Sequence, residues 1–230
     1  MTKDDLKQDR ITQIGDWTAW HDEYEDPDSE LTARMRTVRS HVAAIVEQCP
    51  AGPVTVVSIC GGQGRELIGA LETHPRRADI RGRLIELDTG NATFARAWAQ
   101  KAQLSQLEIV NGDASVADSY SGLPPADLVV VSGLFGHLDD ADQIRTINFL
   151  RQLCRNGGRA VWTFYRDERR TEKLRGFFRE QMFEEEAFDV LSGKYQFTIA
   201  RSRYTGTPER FVPHAKIFSF GSSRAKAVAD

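Results

Sequence analysis

Val57-Ser58-Ile59-Cys60-Gly61-Gly62-Gln63-Gly64-Arg65-Glu66 decides the fold of this chain. Residues 53–60, which lead into the glycines, are β-branched and apolar, the composition of a buried strand. The glycines break that strand, and Leu67, Ile68 and Leu71 then recur at helical spacing. The unit is strand, turn, helix. At such a turn glycine lets the backbone approach a nucleotide closely, and an acidic side chain about 20 residues later accepts hydrogen bonds from ribose hydroxyls. Glu86 follows Gly64 by 22 residues, at the tip of the next strand. The turn is not Gly-x-Gly-x-x-Gly, which weighs against a dinucleotide, and it lacks the Gly-Lys-Ser/Thr of a phosphate loop.

Outward from the turn, strand and helix signals alternate. Residues 83–87 and 107–110 form short strands, separated by a helix whose Phe94, Ala95, Trp98, Ala99 and Ala102 share a face. Residues 127–131 are almost purely aliphatic, as suits a parallel strand buried on both faces. Asp139 or Asp140 caps the next helix, with Ile144, Ile147, Leu150 and Leu153 inward, and Asn156-Gly157-Gly158 turns the chain into a strand at 159–165. This order predicts an open α/β sheet with right-handed crossovers. Beyond it we expect a helix around 174–182 and two closing strands at 196–201 and 215–220, paired antiparallel because no helix separates them. Before the first strand, Ser29 is a plausible N-cap for an amphipathic helix carrying Leu31, Met35, Val38, Val42, Ile45, Val46 and Cys49, which should end before Pro50.

Composition bounds the function. The chain has 230 residues, 40% hydrophobic and 27% charged, with a net charge of −3. That is one soluble globular domain with no basic excess to grip a polyphosphate, so nucleic acid is not the expected partner. The longest aliphatic run, residues 128–131, is far short of a membrane span, and the polar, charged start of the chain leads to no apolar signal segment. The expected location is cytoplasmic. Cys49, Cys60 and Cys154 have no Cys-x-x-Cys spacing and the histidines do not cluster, so neither a disulfide framework nor a metal site is expected. Acidic residues dominate the first 30 positions, among which Trp17, Trp20 and Tyr24 form an aromatic cluster. We divide the chain into an N-terminal arm and helix acting as a lid (residues 1–50), a nucleotide-binding domain (51–221) and a frayed tail (222–230).

In several places at once the chain resembles the class I S-adenosylmethionine-dependent methyltransferases. Their first motif, acidic-x-Gly-x-Gly-x-Gly, maps onto residues 58–64, with Ser58 in place of the acid and Cys60 in place of the first glycine. Glu86 matches the ribose-binding acid of the second motif, and Gly112-Asp113-Ala114 matches the third, whose aspartate commonly bonds the adenine amino group. Residues 126–135, including Ser132 and Gly133, match the fourth, which passes beside the donor methyl. The resemblance implies a Rossmann-like, doubly wound seven-stranded sheet, mostly parallel with an antiparallel last strand. It also implies S-adenosyl-L-methionine as cosubstrate and a donor site of Cys60, Gly61, Gly62, Gly64, Arg65, Glu86, Leu87, Asp113, Ala114, Ser132 and Gly133. An N-terminal tyrosine touching the methionine moiety is common in that fold, which makes Tyr24 a lid candidate. With no charge at Ser58, Arg65 and Glu66 are placed to take over part of the work at the methionine end.

Methyl transfer from a sulfonium is an in-line displacement with a neutral leaving group, so the enzyme gains chiefly by alignment and exclusion of water. A base is needed only for a protonated acceptor, and His21, Tyr24, His137 and Tyr165 are the candidates, with His214 behind them. Each also has a plain structural or surface reading. With no separate acceptor domain in sight, the expected acceptor is an O, N or C nucleophile on a small molecule, and the protein a monomer or homodimer. The changed first motif keeps open another use of the same donor: aminocarboxypropyl transfer, or ring closure with loss of methylthioadenosine. A nicotinamide oxidoreductase and a non-catalytic binding module are the alternatives from other classes.

Overall fold

The computed structural model describes residues 24, 26–165, 167–193 and 196–219. Helix α1 (Glu30–Gln48) is followed by β1 (Val54–Ile59), the short α2 (Leu67–Leu71), β2 (Ile80–Glu86), α3 (Thr89–Lys101) and β3 (Gln106–Asn111). Then come β4 (Ala126–Val131), α4 (Asp140–Leu153), β5 (Cys154–Phe164), α5 (Glu168–Glu180), β6 (Phe183–Val190) and β7 (Thr198–Tyr204). The strands form one seven-stranded sheet in the order β3-β2-β1-β4-β5-β7-β6. Strands β1 to β5 pair in parallel, and β7 is antiparallel to both β5 and β6. The expected doubly wound fold with an antiparallel strand near its end is present.

The helices begin where capping chemistry allows. Ser29 Oγ accepts from Thr32 N at 3.0 Å, Asp88 from Asn91 N at 2.8 Å and Asp139 from Asp142 N at 2.8 Å, each satisfying a donor at a helix start. Helices α1, α2 and α3 cover one face of the sheet, while α4 and α5 cover the other. Six apolar side chains of α1, Leu31, Met35, Val38, Val42, Ile45 and Val46, are buried in the first layer. At about 1.5–3 kcal/mol each before entropy, that burial contributes on the order of 10 kcal/mol. Helix α1 is therefore a fixed wall of the core. On the other face Trp162 stacks on Phe178 with ring centroids 4.8 Å apart.

Two expectations need correction. The last antiparallel strands are 183–190 and 198–204; among the described residues, 215–219 form none. That segment makes a single bridge, Lys216 with Val116, and Ile217 and Phe218 are buried next to each other, which a strand with one covered face does not allow. Strand β6 was not among the expected elements, because the run Glu184-Glu185-Glu186 shows no apolar alternation. Its carboxylates are bound: Glu185 by Arg175, Glu186 by Arg159, and Glu184 by Arg203. Paired in this way, three adjacent glutamates fit an edge strand.

Candidate functional site

All five parallel strands point their C-terminal ends at one rim, and the loops there gather most of the residues singled out by sequence. Cys60 leaves β1 with φ 52, a left-handed conformation that costs a non-glycine residue on the order of 1 kcal/mol. Its thiol is pushed up by burial, and further by the Glu86 and Asp113 carboxylates, so it stays protonated and acts as packing. Gly61 lies so close to β2 that a Cβ there would be 2.4 Å from Leu84 Cγ. Gly64 has φ +77, which only glycine adopts without strain. Glu86 closes the turn: Oε2 accepts from Gly62 N at 2.8 Å and Oε1 from Asp88 N at 2.9 Å. Each carboxylate oxygen keeps a second lone pair for another donor.

Beside Glu86, Leu87 is 67% exposed, a large apolar side chain standing in solvent at the rim. Next to it Asp113 Oδ1 accepts from Ser115 N at 2.8 Å and Ser115 Oγ at 2.6 Å, and Oδ2 faces Lys216 Nζ at 3.4 Å. Burial pushes the Asp113 carboxyl up, but the hydrogen bonds from Ser115 and the Lys216 ammonium outweigh it and leave the group below the ordinary aspartate value. Ala114 is buried, and its carbonyl accepts from Tyr120 Oη at 2.7 Å. Lys216 is a residue that sequence reasoning missed. It arrives on the segment after β7, which bonds Ala117 N, Ser115 O and Asp142 on its way across the fold.

On the other side of the turn, Tyr24 is buried, and the first turn of α1 holds its carbonyl through Thr32 Oγ1 at 3.2 Å. Arg34 Nη2 donates to Tyr24 Oη at 2.5 Å and to Glu66 Oε1 at 3.2 Å, and Ser132 Oγ donates to the same Glu66 oxygen at 3.1 Å. Tyr24 also shares a hydrogen bond with Glu66. Burial is the main reason the Tyr24 phenol is held above its ordinary pKa, with the nearby Glu66 carboxylate adding to the effect. The Tyr24 phenol is thus held in its neutral form. Arg65 bonds Gln63 Oε1 at 2.9 Å and places its guanidinium 5.4 Å from the Tyr24 ring centre. Gly133 N donates to Thr163 Oγ1 at 2.8 Å, tying the end of β4 to β5.

Arg34 was overlooked, although its spacing puts it on the apolar face of α1, three residues from Leu31 and four from Val38. A charge on a core-facing stripe has to be paired, and that was the available signal. His137 ends a short helical turn after β4, and Tyr165 follows β5 and packs its ring against Gly136. The two therefore flank the end of the sheet beside Gly133. His214 is exposed and bonds Asp118 at 2.9 Å on the strap that carries Lys216. His21, Trp17 and Trp20 lie outside the described residues.

This strand order, with a glycine turn after β1 and an acid at the tip of β2, defines a class I methyltransferase fold. Residues 32–166 match the family model described as "Putative methyltransferase", and the chain belongs to that family. Among curated protein sequences none matches it. Magnesium protoporphyrin IX methyltransferase (ChlM) of Synechocystis, solved with bound S-adenosylmethionine, aligns with a TM-score of 0.62 at 17% identity, over 89% of this chain and 98% of that one. An O-methyltransferase family 2 protein of Planctomyces limnophilus in complex with apigenin gives 0.56 at 18% identity, over 76% and 60%. An rRNA methylase of Streptococcus thermophilus gives 0.55 at 10%, over 74% and 95%. Such identities speak for the fold. S-adenosylmethionine is the methyl donor of this class, and the rim fits it: a side-chain-free cradle at Gly61, spare lone pairs on Glu86 and an exposed apolar Leu87.

Proposed function

We propose that this protein transfers the methyl group of S-adenosylmethionine to an O, N or C nucleophile on a small molecule. The observation that carries the choice of acceptor is the charge balance around the rim and its flanking helices. Arg34 is matched by Glu66, Lys216 by Asp113, Lys173 by Asp140, and Arg175 by Glu172 and Glu185. A net charge of −3 over the chain and this pairing among the described residues argue against a basic track for a polyphosphate backbone.

In this reading Cys60, Gly61, Gly62, Gly64 and Arg65 cradle the methionine portion, and Glu86 accepts from the ribose hydroxyls. Leu87, Asp113 and Ala114 form the adenine pocket, and Ser132 and Gly133 line the path of the methyl group. Tyr24, just ahead of α1, is the donor-side lid. Bound donor supplies an electrophilic methyl whose sulfur leaves neutral. The protein's own share is to align the acceptor, exclude water and, for a protonated acceptor, take a proton at His137, Tyr165 or His21. Location in the cytoplasm and a monomeric or homodimeric state belong to the same proposal.

The test is incubation with methyl-labelled S-adenosylmethionine and either a small-molecule extract or total RNA. Label in a small molecule with matching S-adenosylhomocysteine supports the proposal. Label in RNA alone overturns the acceptor class, and methylthioadenosine formed without acceptor overturns methyl transfer itself.

A further inference from the structure

Arg34 is 3% exposed, yet it touches residues from three separate parts of the rim. Its Nη2 reaches the Tyr24 hydroxyl at 2.5 Å and Glu66 Oε1 at 3.2 Å, and that oxygen also takes the Ser132 hydroxyl at 3.1 Å. Its guanidinium lies 5.1 Å from the Phe197 ring centre, and Phe197 meets Tyr165 edge-to-face at 6.5 Å. One helix residue thereby joins the lid tyrosine, the glycine turn, the end of β4 and an aromatic just before β7. A second arginine of α1 adds to the same clamp, with Arg39 Nε donating to the Arg65 carbonyl at 2.8 Å.

A buried ion pair is a poor way to gain stability, because desolvating two charges costs about as much as their attraction returns. Well-packed apolar residues would hold α1 on the sheet at least as well. What the pair does give is a fixed geometry that apolar packing does not specify. Remove the guanidinium, and the partly buried Glu66 carboxylate loses its ion-pair partner, while Tyr24 loses a hydrogen-bond donor and Ser132 loses the fixed oxygen it binds. We propose that Arg34 is a positioning residue for methyl transfer: through Glu66 and Tyr24 it locks the lid, the glycine turn and the end of β4 into one donor-binding surface, without touching the donor. This rests on the donor lying at the glycine turn.

The experiment is calorimetric titration of S-adenosylmethionine into the full-length protein and the variants Arg34→Met, Arg34→Lys, Tyr24→Phe and Glu66→Gln, alongside urea unfolding. Arg34→Met, Tyr24→Phe and Glu66→Gln should each weaken donor binding by about tenfold, with Arg34→Lys in between because it keeps charge but not the fork. The Arg34→Met/Tyr24→Phe double variant should be no weaker than about twofold beyond the worse single variant, since both act through one network. Additive losses, or an Arg34→Met protein less stable but with unchanged donor affinity, overturn the proposal. If Arg34→Met does not fold, the Tyr24→Phe and Glu66→Gln cycle decides by the same criterion. Glu86→Ala separates the two failures: unchanged affinity there removes the donor from the turn, whereas weakened affinity there with unchanged Arg34 variants removes only Arg34.

Discussion

Replacing Glu86 by glutamine preserves the outline of the side chain, yet it should loosen the glycine turn. The carboxylate accepts one backbone N–H on each oxygen, from Gly62 at 2.8 Å and Asp88 at 2.9 Å. An amide has one oxygen and one NH2, so it can satisfy only one of those donors and must turn its own hydrogens toward the other. A lost hydrogen bond to a charged acceptor is worth about 1.5–3 kcal/mol, and partial exposure at the rim brings the expected loss of stability to about 1–2 kcal/mol. The ribose hydroxyls of a bound donor lose a charged acceptor at the same time. A further loss of about 1.5 kcal/mol corresponds to roughly tenfold weaker donor binding. Helix α3 should keep its start, because its cap is Asp88, not Glu86. Urea unfolding without donor measures the first effect and calorimetry with S-adenosylmethionine the second. A Glu86→Gln protein with the parental unfolding midpoint and a donor Kd within about twofold of the parent would refute the role given to this carboxylate.

Leu87→Ser should leave stability within about 0.5 kcal/mol, since the side chain is already 67% exposed, while weakening donor binding by about fivefold; equal affinity would remove Leu87 from the adenine face. The Asp113 carboxyl lies below the ordinary aspartate value of 3.8, so its stabilising contribution is complete above that pH and is lost as pH falls below it. Lys216→Met should move Asp113 back toward 3.8 in a carboxyl NMR titration, and an unmoved titration would show that Lys216 does not hold it. Tyr24 is held above its ordinary value of 10.0, so its contribution is complete below that pH and fades as pH rises beyond it. Tyr24→Phe should therefore flatten the alkaline fall of the urea midpoint; the same fall in both proteins would contradict burial of a neutral phenol.

The parts of this fold that could be read from sequence are those in which one physical demand fixes the residue type. The strand before Gly61 must be apolar because β1 is covered on both faces, and the turn needs glycine because Leu84 lies against it. Glu86 follows at the interval a parallel βαβ unit imposes. Strand β6 was illegible because its glutamates are paid off by arginines on α5, β5 and β7, partners far away in sequence. Residues 215–219 misled in the opposite sense: Ile217 and Phe218 fill the core from a strap instead of lining a sheet face. Arg34 could have been found from its helical position, but its partners Tyr24 and Glu66 could not be named before the turn was seen folded against α1. Lys216 carries no periodic or motif signal at all.

The most direct measurement is a calorimetric titration of the purified protein with S-adenosylmethionine, with mass spectrometry of the same solution before and after. Saturable binding with the donor intact, and S-adenosylhomocysteine produced only once an acceptor is added, is the result predicted. Absence of binding, or methylthioadenosine released by the protein alone, would contradict a methyltransferase built on the glycine turn.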